Sequence, residues 1–349
     1  MDTCGIVLSA APGAVTELVK EMRMAGDKAE VLVLAPKQTI VEGLEKAFTL
    51  HKLWEASDSE ALIEAIAPRV SAIASAGGHA PVDAQLMSRL PKLEIVSSFG
   101  VGYDHVDATW AGAHGVVVTN TPDVLTEEVA DTALGLMLCT VREFSEAERY
   151  LRAGKWIEQN YPLSKATLRN RTVGIIGLGR IGKAIARRLD AMQVPVVYHG
   201  RRAQADVPYR HYGNLIDMAR AVDVLLVVTP GGADTKNLIN AAVIEALGPD
   251  GILINMARGS VVDEGALIEA LKNKKILSAG LDVYVNEPEV PPELIAMEHV
   301  VLFPHLGSAS IHTRRAMDQL VVDNLVAWGA GRPPLTPVPE TPWPPVKRK

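Results

Sequence analysis

Three apolar runs in the second half of the chain each end in residues suited to proton or anion chemistry. Gly251–Asn255 leads into Met256, Ala257 and Arg258; Ile276–Leu281 leads into Asp282 and then Glu287; Val300–Phe303 leads into His305. Short apolar runs bounded by turn residues read as buried parallel strands. Open α/β sheets bind ligands beyond the carboxyl ends of their strands. An arginine, a carboxylate and a histidine on one such edge suit the reversible reduction of a 2-oxo acid. Arg258 is expected to hold the substrate carboxylate and polarise the ketone oxygen with its planar fork. His305, as imidazolium, is expected to give that oxygen a proton while hydride reaches the carbon. Glu287, if it lies next to His305, is expected to favour the charged ring. Neutral His305 serves as the base in the reverse oxidation. Asp282 either contacts a nicotinamide amide or simply ends a strand.

Hydride needs a donor, and an earlier stretch supplies its site. Val173–Gly182 reads VGIIGLGRIG: an apolar run that breaks into Gly177-x-Gly179-x-x-Gly182 and then a helical pattern. This is the strand–turn–helix signature for a dinucleotide pyrophosphate. Gly177 allows the tight turn, Gly179 lets the backbone approach the phosphates, and Gly182 lets helix pack on strand. The next strand, Val194–His199, ends in Gly200, Arg201 and Arg202, where an acid would select NAD. A site with no carboxylate and two guanidiniums suits a 2′-phosphate, so the expected cofactor is NADP(H).

Around these motifs, apolar runs alternate with amphipathic stretches throughout, which predicts helices on both faces of parallel sheets. Gly5–Ser9, Ala29–Leu34, Ser71–Ser75 and Leu93–Ser97 read as strands of a first series. A second starts near Val116 and includes Val222–Val228. Thr126–Tyr150 reads as one long helix with an acidic first turn, and Ser310–Trp328 as another. From Gly331 the chain is too rich in proline for helix or central strand. The 349 residues suffice for two domains. A net charge of -6 without an internal basic run argues against nucleic acid. Two cysteines make neither a disulfide framework nor a metal site, so no metal is expected and a reducing compartment is. The N-terminus lacks the basic region of a signal peptide, and no apolar run reaches membrane-spanning length. No membrane association is expected, and the cytoplasm is the default location.

GLGRIG, INMARGSVVDEGAL, GLDVYVNEP and FPHLGSAS, in that order, resemble the D-isomer-specific 2-hydroxyacid dehydrogenases. SSFGVGYDHVD, YHGRR and LGPDGILIN resemble most the NADPH-dependent glyoxylate/hydroxypyruvate reductases and plant hydroxyphenylpyruvate reductases within that family. The resemblance implies two Rossmann- or flavodoxin-like lobes, with the cofactor lobe inserted into the substrate lobe and the active cleft between them. It puts the substrate lobe at 1–103 and 296–335, the NADP-binding lobe at 104–295 and a proline-rich tail at 336–349. It implies the catalytic trio Arg258, Glu287 and His305. It places the substrate carboxylate on Ala76, Gly77, Gly78, Val101 and Gly102, together with Arg258 and His305. Cofactor contacts are implied at Gly177, Leu178, Gly179, Arg180, Ile181, Gly182, Gly200, Arg201, Arg202, Thr229, Pro230, Met256, Ala257, Arg258, Asp282, His305 and Gly307. It also implies a homodimer built largely through the cofactor lobes. Trp54, Trp156 and the His312–Arg315 segment are candidates to border the substrate, although residue type favours packing for the tryptophans.

The expected reaction is reduction of glyoxylate to glycolate and of hydroxypyruvate to D-glycerate. An aryl 2-oxo acid of the hydroxyphenylpyruvate type is the alternative substrate. A dinucleotide-sensing co-repressor is the alternative from another functional class, and the intact trio gives no reason to prefer it.

Overall fold

Alternating apolar and amphipathic segments give alternating strands and helices in the computed structural model, which describes residues 28–75, 77 and 81–345. The run Gly5–Ser9 lies outside these. The chain divides into two units, Met1–Leu125 with Ser310–Lys349 and Thr126–Ala309.

Unit 1 runs β1 (Glu30–Val33), α1 (Gln38–Leu44), β2 (Thr49–Lys52), α2 (Ser59–Ile66), β3 (Val70–Ser75), α3 (Ala84–Ser88), β4 (Ile95–Ser98), α4 (Ala108–His114) and β5 (Val117–Thr119). The strands pair in parallel in the order β2-β1-β3-β4-β5, the flavodoxin-like order. Leu32, Ile73 and Val96 from the central strands pack with Ile63, Met87 and Val106. β2 is polar (TLHK) and half-exposed, as an edge strand is, and its sequence carries no apolar run.

Unit 2 begins with α5 (Thr126–Arg142) and α6 (Phe144–Arg152). The single helix expected over Thr126–Tyr150 is broken at Glu143, whose φ of 57° is left-handed. Glutamate is a good helix former, so residue type does not mark the break. The Glu143 carboxylate instead accepts from the Tyr161 hydroxyl and the Lys165 N–H, contacts a straight helix would forgo.

There follow β6 (Val173–Ile176), α7 (Arg180–Ala191), β7 (Val196–His199), β8 (Arg210–Tyr212), α8 (Leu215–Ala221), β9 (Val224–Val227), α9 (Ala241–Leu247), β10 (Ile252–Asn255), α10 (Glu264–Lys272), β11 (Ser278–Leu281), α11 (Pro292–Ile295) and β12 (Val301–Leu302). The seven strands are all parallel, in the order β12-β11-β10-β9-β6-β7-β8. This is the Rossmann order with one added strand, and its direction reverses between β6 and β9. β6, β9, β10 and β11 are buried throughout, which is why they read as unbroken apolar runs.

The chain then returns to unit 1 as α12 (Ile311–Gly329), capped by the Ser310 side chain. Part of the proline-rich tail packs on the first unit. Val338 and Thr341 are buried, and the Thr341 hydroxyl accepts from Val118 N–H and donates to its carbonyl. Sheet pairing also sets the unit boundaries beyond the expected 103 and 295. β5 completes the first sheet and β12 the second, so the divisions fall after Leu125 and Ala309.

Candidate functional site

The carboxyl edge of the seven-stranded sheet collects most of the residues singled out by sequence. Gly177–Gly182 follow β6, Gly200–Arg202 follow β7, Thr229 and Pro230 follow β9, and Met256–Arg258 follow β10. Asp282 and Glu287 follow β11, and His305 and Gly307 follow β12. Gly77, Val101 and Gly102 stand at strand ends of unit 1, while Ala76 and Gly78 lie outside the described residues.

At the point of reversal, a Cβ on Gly177 (φ 98°) would stand 2.8 Å from Thr229 Cα, so the loops after β6 and β9 meet only because this residue has none. A Cβ on Gly182 would stand 2.3 Å from the Gly177 carbonyl oxygen, which fixes how closely α7 approaches the turn. Gly179 differs: its Cβ would meet nothing within 4 Å. It precedes a twelve-residue helix that has no side-chain cap, whereas Asp58, Asp83, Asp107, Asn214, Asn240 and Asp263 cap their own helices. Space beside uncapped N–H groups at a helix N-terminus fits a pyrophosphate.

The loop after β7 is shaped by residues the sequence motif does not include. His211 Nε2 donates to the Gly200 carbonyl (3.0 Å), Gln204 Nε2 donates to the Leu178 carbonyl (2.8 Å), and the Gln204 N–H donates to the buried Tyr198 hydroxyl (2.7 Å). Arg201 and Arg202 are exposed, and among the described residues neither has an ion-pair partner.

At the other end of the edge the groups engage one another. His305 Nδ1 and Glu287 Oε2 are 2.7 Å apart, and Glu287 Oε1 accepts the Tyr284 N–H at 3.0 Å. Burial pushes the Glu287 carboxyl up. The His305 and Tyr284 hydrogen bonds, with the charges of His305 and Arg258, outweigh it and leave its pKa below the ordinary value.

His305 has a φ of 54°, strained for a residue with a side chain. Asp282 holds it there: its carbonyl accepts His305 N–H (2.9 Å) and its carboxylate accepts the N–H groups of Leu306 and Gly307. Asp282 is 2% exposed, and burial raises its pKa against the opposing pull of those two donors. Both its oxygens are therefore committed to the loop carrying His305.

Arg258 sits on a turn tied by Asn255, whose side chain accepts from Ala257 N–H and donates to the Arg258 carbonyl, both at 3.1 Å. A Cβ on the following Gly259 would overlap the Tyr284 backbone at 1.9 Å. This glycine therefore allows the arginine loop to lie against the loop bearing Glu287. The Tyr284 hydroxyl donates to the Phe303 carbonyl at 2.9 Å, linking the ends of β11 and β12. The sequence singles out Arg258, Glu287 and His305, which the fold places on one sheet edge, but not Asn255, Gly259 or Tyr284; the one visible signal for these was a polar Asn255 closing an apolar strand.

Unit 1 presents backbone instead. Gly100 N–H donates to Thr121 Oγ1 and its carbonyl accepts Thr121 N–H, both at 2.9 Å, and Asn120 Nδ2 donates to the Val101 carbonyl at 2.8 Å. Among the described residues the N–H groups of Val101 and Gly102 find no acceptor.

Comparison with known proteins places the chain in a family. Residues 134–307 match the family model described as D-isomer specific 2-hydroxyacid dehydrogenase, NAD binding domain. A glyoxylate/hydroxypyruvate reductase A from Arabidopsis thaliana is 45% identical, covering 88% of this chain and 98% of that protein. A hydroxyphenylpyruvate reductase from Plectranthus scutellarioides is 44% identical over the same shares, 88% and 98%. Among solved structures, an NADPH-dependent glyoxylate/hydroxypyruvate reductase from Sinorhizobium meliloti, in complex with NADP and malonate, superposes with a TM-score of 0.86. Its sequence identity is 49%, over 93% of this chain and 99% of that one. The chain belongs to the D-isomer specific 2-hydroxyacid dehydrogenase family.

Proposed function

We propose that the protein reduces glyoxylate to glycolate and hydroxypyruvate to D-glycerate with NADPH. One observation carries the reading: a histidine hydrogen-bonded to a carboxylate at 2.7 Å, beside an arginine loop, on the same edge as a dinucleotide turn. The N–H groups at the start of α7 and the open face of Gly179 would hold the pyrophosphate. Arg201 and Arg202 would pair with the 2′-phosphate, and Thr229, Pro230, Met256 and Ala257 would flank the rest. When bound, the nicotinamide supplies the hydride.

The chain's own groups manage the charge that develops. Protonated His305 keeps Nδ1–H on Glu287 and directs Nε2–H at the ketone oxygen, which takes that proton as it becomes an alcohol. Glu287 stabilises the imidazolium and fixes the ring. Arg258 binds the carboxylate and the polarised oxygen. In unit 1, the N–H groups of Val101 and Gly102, without an acceptor among the described residues, suit a carboxylate together with Gly77. The relatives named glyoxylate/hydroxypyruvate reductase support the small-acid assignment, and the hydroxyphenylpyruvate reductase supports a larger aryl acid as the second reading.

The assembly proposed is a homodimer. Between 144 and 163, Phe144, Leu151, Trp156, Ile157 and Leu163 are all exposed, Ile157 and Leu163 above 90%. So concentrated an apolar surface suits a second copy of the chain. Trp156, which its residue type suggested would pack, is 61% exposed. No helix among the described residues is long and apolar enough to cross a membrane, and the place of action proposed is the cytoplasm.

Steady-state kinetics with glyoxylate, hydroxypyruvate and 4-hydroxyphenylpyruvate, each with NADPH and NADH, test the assignment. The expected result is turnover of both small acids with a strong preference for NADPH. Turnover of the aryl acid alone would move the enzyme to the second reading, and equal use of both cofactors would refute the role given to Arg201 and Arg202.

A further inference from the structure

Unit 1 carries a charged cluster that the catalytic roles above leave unused. Lys37 follows β1 on the carboxyl side of the five-stranded sheet. In the order β2-β1-β3-β4-β5 the direction of strand addition reverses between β1 and β3, and a ligand crevice opens beyond the strand ends at such a reversal. Lys37 Nζ lies 3.6 Å from the centroid of the Phe99 ring, and the Arg314 guanidinium lies 5.3 Å from the same centroid. Phe99 directly precedes Gly100–Gly102, and a Cβ on Gly77 would stand 3.7 Å from Phe99 Cδ1. A buried aromatic platform, 4% exposed, thus holds the ammonium one ring away from the backbone groups proposed to take the substrate carboxylate.

The state of this ammonium points to a ligand. Its ion-pair partner is Asp318, with Oδ1 at 3.4 Å, and that buried oxygen accepts no hydrogen bond among the described residues. Beyond that one contact, the Lys37 N–H donors have no acceptor among the described residues. The side chain is only 24% exposed. Burial pulls its pKa down and Arg314 adds to that, against the attraction of Asp318. Keeping unspent donors on a largely buried cation is costly unless an oxygen completes them.

We infer that Lys37 is a specificity residue that hydrogen-bonds an oxygen on the third carbon of the substrate, so that unit 1 selects oxygenated 2-oxo acids over alkyl ones. This rests on the 2-oxo acid reading above. The discriminating pair is hydroxypyruvate and 2-oxobutanoate, in which a methyl group replaces the hydroxyl. In the wild type the ratio of their kcat/KM values favours hydroxypyruvate. Lys37→Met keeps the length of the side chain and removes the donors. It should lower that ratio roughly ten- to hundredfold, the size of a hydrogen bond to a charged group, and Lys37→Arg should recover part of it.

Lys37→Met also strands the Asp318 carboxyl. If it fails to fold, the double variant Lys37→Met with Asp318→Asn carries the same measurement, with a thermal melt checking the fold. An active wild type whose ratio is unmoved by either variant overturns this inference alone. A wild type inert toward every 2-oxo acid overturns the functional reading and this inference with it.

Discussion

The two ends of the seven-stranded edge are built on opposite plans. At β10–β12 the charged side chains are already tied to the protein: His305 to Glu287, Glu287 to the Tyr284 N–H, Asp282 to two backbone donors. At β6–β7 the plan is open: a helix N-terminus without a side-chain cap, a Gly179 with nothing near its Cβ position, and two exposed guanidiniums, Arg201 and Arg202, without an ion-pair partner among the described residues. The proposed catalytic end is preorganised and pays no ordering cost at the moment of reaction. The cofactor end is completed only by a polyanion, so its binding energy stays available for one. Damage at the first end should therefore appear in kcat, and damage at the second in the affinity for the dinucleotide.

The largest expected effect follows from removing the proposed proton donor. His305→Gln retains a polar side chain at the same place but cannot cycle a proton. Its kcat for glyoxylate reduction should fall by about 10²–10⁴-fold. KM for NADPH should hold steady. A variant whose loss appeared in that KM while kcat survived would break the division between the two ends.

Arg201→Ala is the counterpart at the other end. It should weaken NADPH roughly ten- to hundredfold, by the loss of one charged hydrogen bond, and leave NADH kinetics in place. Initial rates with both reductants measure this directly. A matching loss with NADH would show that the loop shapes the whole site and does not read the phosphate alone.

The glycines sharpen the contrast within the turn. Gly182→Ala drives a methyl group to 2.3 Å from the Gly177 carbonyl oxygen. It should cost about 1–3 kcal/mol of stability, visible as a lower Tm without any ligand. Gly179→Ala meets nothing in the protein, so its Tm should stay near wild type while NADPH binding weakens. Calorimetry of both variants, with and without NADPH, separates packing from ligand approach. Equal destabilisation of the two ligand-free variants would mean that Gly179 is also a packing glycine.

What was legible in the sequence divides along physical lines. Buried central strands such as Val173–Ile176 and Ile252–Asn255 stand out because both their faces are covered, and the reactive residues lie where those strands must end. The edge strands Thr49–Lys52 and Arg210–Tyr212 do not, since a half-exposed strand needs no apolar run. The break at Glu143 and the seating of Val338 and Thr341 on β5 are set by contacts between residues far apart in the chain, which local pattern does not encode. The same holds at the site. The proposed trio was readable by type and order, whereas Asp282, Asn255 and Gly259 act as supports through distances that only folding creates.

The smallest expected effect concerns pH and the preorganised end. Glu287 has a folded-state pKa below its ordinary value, because the hydrogen bonds and charges around it outweigh burial. A lowered carboxyl pKa means the folded state binds the proton less readily than the unfolded chain. The stabilising contribution is then complete above the unfolded value of about 4.3 and is lost as pH falls through the lower folded value. Glu287→Gln has no carboxyl to protonate, so this loss should be absent from it. The stability gap between wild type and variant, from urea unfolding at about pH 6 and again at about pH 3, should narrow on the acid side. A gap that stays constant or widens toward acid would mean that the Glu287–His305 contact stabilises the fold as a neutral hydrogen bond. The order of that end would then rest on hydrogen bonding, from Glu287 as from Asp282 and Tyr284, and not on the charge of the pair.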